Sequence, residues 1–128
     1  MNPFEPAQLR AIARSHGTPL WLYDAATIRE RIASLKSFDV IRYAQKANSN
    51  VHVLRLMREQ GVRVDSVSLG EIERAQAAGW TVDGDASTGE SNAGQAGAGH
   101  RTSGIVFTAD LFDQATLDKV VAEGIPVN

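Results

Sequence analysis

Residues 40–50 read VIRYAQKANSN. Val40–Ala44 is apolar and β-branched with one aromatic, the composition of a short buried strand. Lys46 stands at its end, followed by Ala47, Asn48, Ser49 and Asn50, all small or polar, with Asn50 or Ser49 fitted to cap a helix. One lysine therefore sits where a strand runs out and a helix begins. In parallel α/β proteins the loops at that edge converge on an open crevice, and ligands bind there. An amine partly withdrawn from water at such a mouth becomes a nucleophile toward carbonyls. The plainer reading is a solvated strand-end lysine.

The flanking segments extend this pattern. Downstream, the periodicity predicts a helix from Val51 to Gln60, with Val53, Leu54, Leu56 and Met57 inward and Gly61 as its stop. Val62–Val67 reads as a second strand. Ser68 and Glu71 form an S-x-x-E capping box for a helix running to Ala78 and ending at Gly79. Ile105–Thr108 is a third strand. Asp113 caps a helix to about Ala122, with Leu117, Val120 and Val121 inward and Gly124 as the stop. Ile125–Asn128 opens a fourth strand. Upstream, Ala7–His16 is a short helix closed by Gly17, and Pro19 opens an extended run, Leu20–Tyr23. Asp24 caps a helix from Ala25 to about Phe38, with Ile28, Ile32 and Leu35 as its buried stripe.

Strands alternating with glycine-terminated helices imply parallel pairing through right-handed crossovers. A (β/α)8 barrel takes about 250 residues. The expected fold class is therefore α/β, the first half of a (β/α)8 TIM-like barrel, incomplete in this chain. An open half-sheet exposes apolar edges and faces, so the chain is expected to be a piece of a longer protein or to need a partner. Residues 1–17 form an N-terminal helix and lead-in, and residues 18–128 the barrel part. A tract at 83–104 interrupts it, holding six of the eleven glycines and no apolar residue larger than alanine. Such a composition predicts a flexible insertion. It joins a helix to the next strand, which places it on the barrel face opposite the site.

The totals bound the function. The 128 residues suffice for one modest domain, and 43% hydrophobic with 22% charged residues is ordinary for a soluble globular chain. A net charge of −2 makes no electrostatic case for nucleic acid or anionic membrane. Without cysteine, thiol catalysis, disulfides and cysteine metal sites are excluded. No apolar run is long enough to span a bilayer and the start lacks a secretory core, so the expected location is the cytoplasm. His16, His52 and His100 are scattered and predict no metal site. The glycines form no G-x-G-x-x-G between strand and helix. Trp21 and Trp80 read as packing residues.

Besides Lys46, the second residue suited to chemistry is Asp65, inside the next strand at the same end of the sheet. A carboxylate in an apolar strand is costly unless paired. Neighbouring parallel strands would bring it near Lys46, either as a structural salt bridge or as the group that orients the amine. Glu71 is already accounted for as the N3 partner of Ser68.

Three segments carry a resemblance: Y-A-Q-K-A-N-S-N at 43–50, V-L-R-L-M-R-E-Q-G at 53–61 and V-D-S-V-S-L-G-E-I-E-R-A at 64–75. Together with T-P-L-W-L-Y-D at 18–24, they resemble the barrel of the fold-type III, pyridoxal-phosphate-dependent decarboxylases of ornithine, arginine and diaminopimelate. S-F-D-V-I-R-Y-A-Q-K-A at 37–47 is most similar to the members acting on diaminopimelate. The likeness runs from about Thr18 to Asn128, broken by the glycine-rich tract. It implies that Lys46 carries pyridoxal 5'-phosphate covalently, that Asp65 lies beside it, and that the substrate is a small amino acid losing carbon dioxide, here meso-diaminopimelate giving lysine. It also implies a homodimer. The family's phosphate cradle, its partner for the pyridine nitrogen and its substrate-binding arginines belong to segments after residue 128 and are not carried over. T-A-D-L-F-D at 108–113 departs from the family's usual form. Two rivals stand beside this reading: another fold-type III enzyme, such as an ornithine or arginine decarboxylase or an alanine-racemase-like protein, and a non-catalytic incomplete barrel that binds a partner chain.

Overall fold

The computed structural model describes residues 3–83 and 103–128. The first helix, α1, spans Pro6–His16 and buries no residue fully. The helices after it begin where a short polar side chain accepts from an otherwise unpaired N–H. Asp24 accepts from Thr27 N at 2.7 Å and opens α2, Ala25–Ala33. Asn50 accepts from His52 N at 2.9 Å and opens α3, Val51–Glu59. Ser68 Oγ accepts from Glu71 N at 3.3 Å and opens α4, Leu69–Ala78. Asp113 accepts from Thr116 N at 2.8 Å and opens α5, Gln114–Ala122. Gly17, Gly61, Gly79 and Gly124, the expected stops, all carry positive φ. Gly79 shows the need most clearly: its φ is +104°, and a Cβ there would lie 3.0 Å from the Arg58 guanidinium.

Between the helices lie β1 (Arg42–Ala44), β2 (Arg63–Ser66) and β3 (Ile105–Phe107). They form one parallel sheet in the order β1-β2-β3. Arg42 lies opposite Arg63, Tyr43 opposite Val64 and Ala44 opposite Asp65. Val64, Asp65 and Ser66 in turn face Ile105, Val106 and Phe107. Val127 bridges Phe107 in parallel, where the expected fourth strand begins. The strand–helix succession is that of a (β/α) barrel's first part.

Residues paired across parallel strands share a face. Tyr43, Val64 and Ile105 share one, and α3, α4 and α5 cover it: Leu54, Val64, Ile72, Ala75, Trp80, Ile105, Phe107, Val120 and Ile125 make a single buried core. Each large apolar side chain buried there contributes about 1.5–3 kcal/mol. The opposite face carries Arg42, Ala44, Arg63, Asp65 and Val106 and contributes nothing to that core. The open face was expected to be apolar, and it is largely charged.

Several boundaries differ from the sequence reading. The first strand begins at Arg42, with Val40 40% exposed, because the chain turns from 34 to 39 before it can enter the sheet. Helix α2 ends at Ala33 instead of near Phe38. The Ser34 hydroxyl donates to Arg31 C=O at 2.7 Å, competing with the helical ladder. Leu35 and Phe38 are left exposed on the turn that follows. Val121 is exposed because α5 meets the core through Thr116 and Val120, and one residue further is a 100° step around the helix. Trp80 packs as expected, its indole N–H donating to Val62 C=O at 3.1 Å, but Trp21 is 88% exposed. Its segment has no regular secondary structure and does not join the sheet. The expected insertion at 83–104 lies outside the described residues except for Asp83, Ser103 and Gly104.

Candidate active site

After Ala44 the main chain leaves β1 and tightens into one 3-10 turn, Gln45–Ala47, closed by Asn48 N–H donating to Gln45 C=O at 2.9 Å. Lys46 is the middle residue of that turn. Three side-chain bonds fasten it. The Tyr43 hydroxyl donates to Asn48 C=O at 3.1 Å. The Ser49 hydroxyl donates to Gln45 C=O at 3.0 Å. The Gln45 amide donates to Ser66 Oγ on β2 at 2.7 Å, fully buried. Burial, reinforced by nearby Tyr23, holds the Tyr43 phenol above its ordinary pKa, so it stays protonated and able to donate. Lys46 itself is exposed and held by no ion pair among the described residues. The sheltered amine expected from the sequence is thus an open one, because the turn carries it past the strand end.

Asp65 sits at the centre of the sheet, with Ala44 on one side and Val106 on the other. One carboxylate oxygen, Oδ1, is buried and without a hydrogen-bond partner. The ion pair expected between Asp65 and Lys46 does not form. Register explains it: Asp65 is level with Ala44, and Lys46 lies two residues further on. The cation that Asp65 acts on is Arg42: burial lowers the pKa of that guanidinium and Asp65 draws it back up. Arg63 is also lowered by burial, and further by Arg42 beside it on the same face. Two guanidinium groups and one carboxylate thus share the open face below the lysine turn.

Glu71 is buried, and its Oε2 accepts from Val67 N–H at 2.8 Å. The Ser68 half of the predicted capping box is present; the Glu71 half reaches one residue earlier than the motif calls for, to the end of β2. This ties the strand bearing Asp65 to the first turn of α4. Beyond β2 and β3 lies a recess of about 460 Å3, walled by Val67, Leu69, Phe107, Leu111, Phe112 and Thr116. Leu111 and Phe112, from the T-A-D-L-F-D loop, line it while staying largely open to solvent.

The sequence reading missed Gln45 and Ser66. The signal was there in principle: each is a polar residue two positions after a residue of the helix-covered face, Tyr43 and Val64, so each falls where an apolar side chain belongs. Of the histidines, His16 and His52 are exposed, and His100 is outside the described residues. Among the described residues no cluster of His, Asp and Glu could hold a metal, and no helix is long and apolar enough to cross a membrane.

Comparison with known proteins bears on this arrangement directly. Residues 25–128 match the family model described as pyridoxal-dependent decarboxylase, pyridoxal binding domain. The chain is 60% identical over 121 residues to a diaminopimelate decarboxylase of Streptomyces coelicolor, covering 94% of this chain and 24% of that one. It is 56% identical over 112 residues to the diaminopimelate decarboxylase of Escherichia coli K12, covering 88% and 23%. A crystal structure of a diaminopimelate decarboxylase superposes with a TM-score of 0.78 at 52% identity, over 95% of this chain and 25% of that chain. A mutant diaminopimelate decarboxylase from Helicobacter pylori, complexed with L-lysine, superposes with a TM-score of 0.72 at 27% identity, over 94% and 27%. The chain therefore spans about a quarter of the length of the curated relatives it matches.

Proposed function

The chain belongs to the pyridoxal-dependent decarboxylase family through that family's pyridoxal-binding domain, and from this premise we propose that it is the N-terminal barrel part of a diaminopimelate decarboxylase. The reaction would release carbon dioxide from meso-diaminopimelate and leave L-lysine. The reading extends to a homodimer, which rests on the family resemblance alone, and to a cytoplasmic location, expected from the sequence pattern. The division into a lead-in at 1–17 and a barrel part at 18–128 belongs to the same proposal. Because the chain covers about a quarter of its relatives' length, the 128 residues by themselves are predicted to show no turnover.

The residues present suit pyridoxal 5'-phosphate. Lys46 supplies a primary amine that no carboxylate among the described residues engages, which is what binding an aldehyde covalently requires. Asp65 supplies a buried carboxylate oxygen with an unused lone pair on the sheet face below the turn. Bound there, the cofactor's ring would supply an electron sink for the charge left on carbon when carbon dioxide departs. The protein's own tasks are positional and electrostatic. The braced turn fixes the direction of the Lys46 amine. Asp65 keeps negative charge level with the strand end, where it favours a protonated nitrogen nearby. Arg42 offsets that charge from below, and together with Arg63 it keeps the face polar. Glu71, by holding Val67, fixes the end of the strand on which Asp65 stands.

The observation that carries the proposal is Lys46, unpaired among the described residues, on a fastened turn at the strand end, inside the segment that matches the pyridoxal-binding domain. The chain has three lysines, at 36, 46 and 119. Lys119 is bound to Glu123 at 2.6 Å. The protein, with these residues grafted in place of the matching quarter of a full-length relative, is treated with pyridoxal 5'-phosphate and then borohydride. Peptide mass spectrometry should find the pyridoxyl mass on Lys46. Its appearance on Lys36 or Lys119 in preference, or on none of the three, refutes the proposal.

A further inference from the structure

Gln45 directly precedes Lys46 and is 0% exposed. Its Nε2 crosses from the end of β1 to Ser66 at the end of β2, at 2.7 Å. Its Oε1 is buried as well and has no partner among the described residues. A side chain that gives up water and regains one hydrogen bond is a poor way to fill a core. Leucine would occupy the space without that cost. The advantage of the amide therefore lies in where it holds the main chain.

What it holds is the lysine turn. Ser66 stands one step beyond the Ala44–Asp65 pair, where a continued β1 would place residue 45. The bond thus keeps Gln45 on the helix-covered face after the main chain has left the strand. A 3-10 turn advances about 120° per residue, so anchoring Gln45 on one face swings Lys46 away from it, toward the face of Asp65. The bonds from Tyr43 to Asn48 and from Ser49 to Gln45 close the rest of the turn. Among the described residues, only the Gln45–Ser66 bond ties the turn to a different strand.

We propose that Gln45 and Ser66 are a positioning pair that sets the direction in which Lys46 presents its amine. This rests on the reading of Lys46 as the cofactor-bearing residue. Loss of the pair costs cofactor loading and leaves fold stability largely intact.

The test uses the grafted full-length protein and three variants: Gln45→Leu, Ser66→Ala and the two combined. Two quantities are read, neither of them turnover: the rate at which pyridoxal 5'-phosphate becomes trapped on Lys46 by borohydride, and the thermal midpoint of the cofactor-free protein. All three variants should trap the cofactor about tenfold more slowly or worse, since misplacing a reacting group by about 1 Å costs up to 100-fold. Their effects on trapping should not add, because either change breaks the same bond. The midpoint should fall in both single variants, since Gln45→Leu strands the buried Ser66 hydroxyl and Ser66→Ala strands the Gln45 amide, and recover in the double variant. Ser66→Thr, which keeps the hydroxyl, should trap at the wild-type rate. If the double variant recovers loading along with its midpoint, the pair is structural only and the proposal fails. It fails equally if Gln45→Leu loads like the wild type, or if the double variant does not fold. A wild-type protein that traps no cofactor on Lys46 refutes instead the functional reading beneath it.

Discussion

Glu71 offers a prediction that can be worked through from its contacts. Its carboxylate is buried and takes one charge-assisted bond, from Val67 N–H at 2.8 Å. Replacing it with alanine leaves that N–H facing a cavity. A hydrogen bond to a charged group contributes about 1.5–3 kcal/mol net. At 1.36 kcal/mol per decade, the Val67 amide should exchange with solvent deuterium roughly ten to 150 times faster in Glu71→Ala. Glu71→Gln keeps an acceptor oxygen and loses only the charge assistance, about 1 kcal/mol, so there the acceleration should be nearer fivefold. Site-resolved exchange on the folded protein measures both, with Trp80, whose N–H bonds Ala75 C=O at the far end of α4, as an internal control. A Val67 rate within twofold of wild type in Glu71→Ala would refute the reasoning, as would equal rates in the two variants. Either result would mean that something other than Glu71 secures the end of β2, and Asp65 would then be positioned by the sheet alone.

Other outcomes follow from the same contacts. Phe107→Ala removes a side chain 1% exposed, with its edge contact to Phe112 at 6.0 Å; chemical denaturation should show a loss of about 3–5 kcal/mol. Gly79→Ala forces a side chain into φ +104° against the Arg58 guanidinium, for about 1–2 kcal/mol of destabilisation by the same assay. Asp24 and Asp113 have pKa values lowered chiefly by side-chain bonds from Thr27 and Thr116. Since the folded values lie below the unfolded ones, their stabilising contribution is complete above the ordinary aspartate range and is lost as pH falls through the lowered values. Acid titration followed by circular dichroism should show helical signal falling in that window, and Asp24→Asn with Asp113→Asn should flatten that part of the curve.

The local grammar of this chain was legible residue by residue. Asp24, Ser68 and Asp113 cap the helices they were expected to cap, and Asn50, one of two candidates with Ser49, caps α3, because an N-cap needs only one side-chain oxygen within three residues of its donors. The glycine stops held for the same reason, since positive φ is a property of single positions. The parallel succession followed from those boundaries; Lys46 was picked out by its place at a strand end and Asp65 as a carboxylate inside an apolar strand. Facing and register were another matter. That Val121 and Leu35 lie exposed depends on which elements reach them, and periodicity marks an apolar stripe without saying how much of it is covered. That Asp65 is level with Ala44 and not with Lys46 depends on how β2 slides against β1, which the two strands decide together. The Gln45–Ser66 bond spans 21 positions and exists only once that register is set. Short-range chemistry was therefore written in the sequence, whereas every contact between elements waited on the alignment of the sheet.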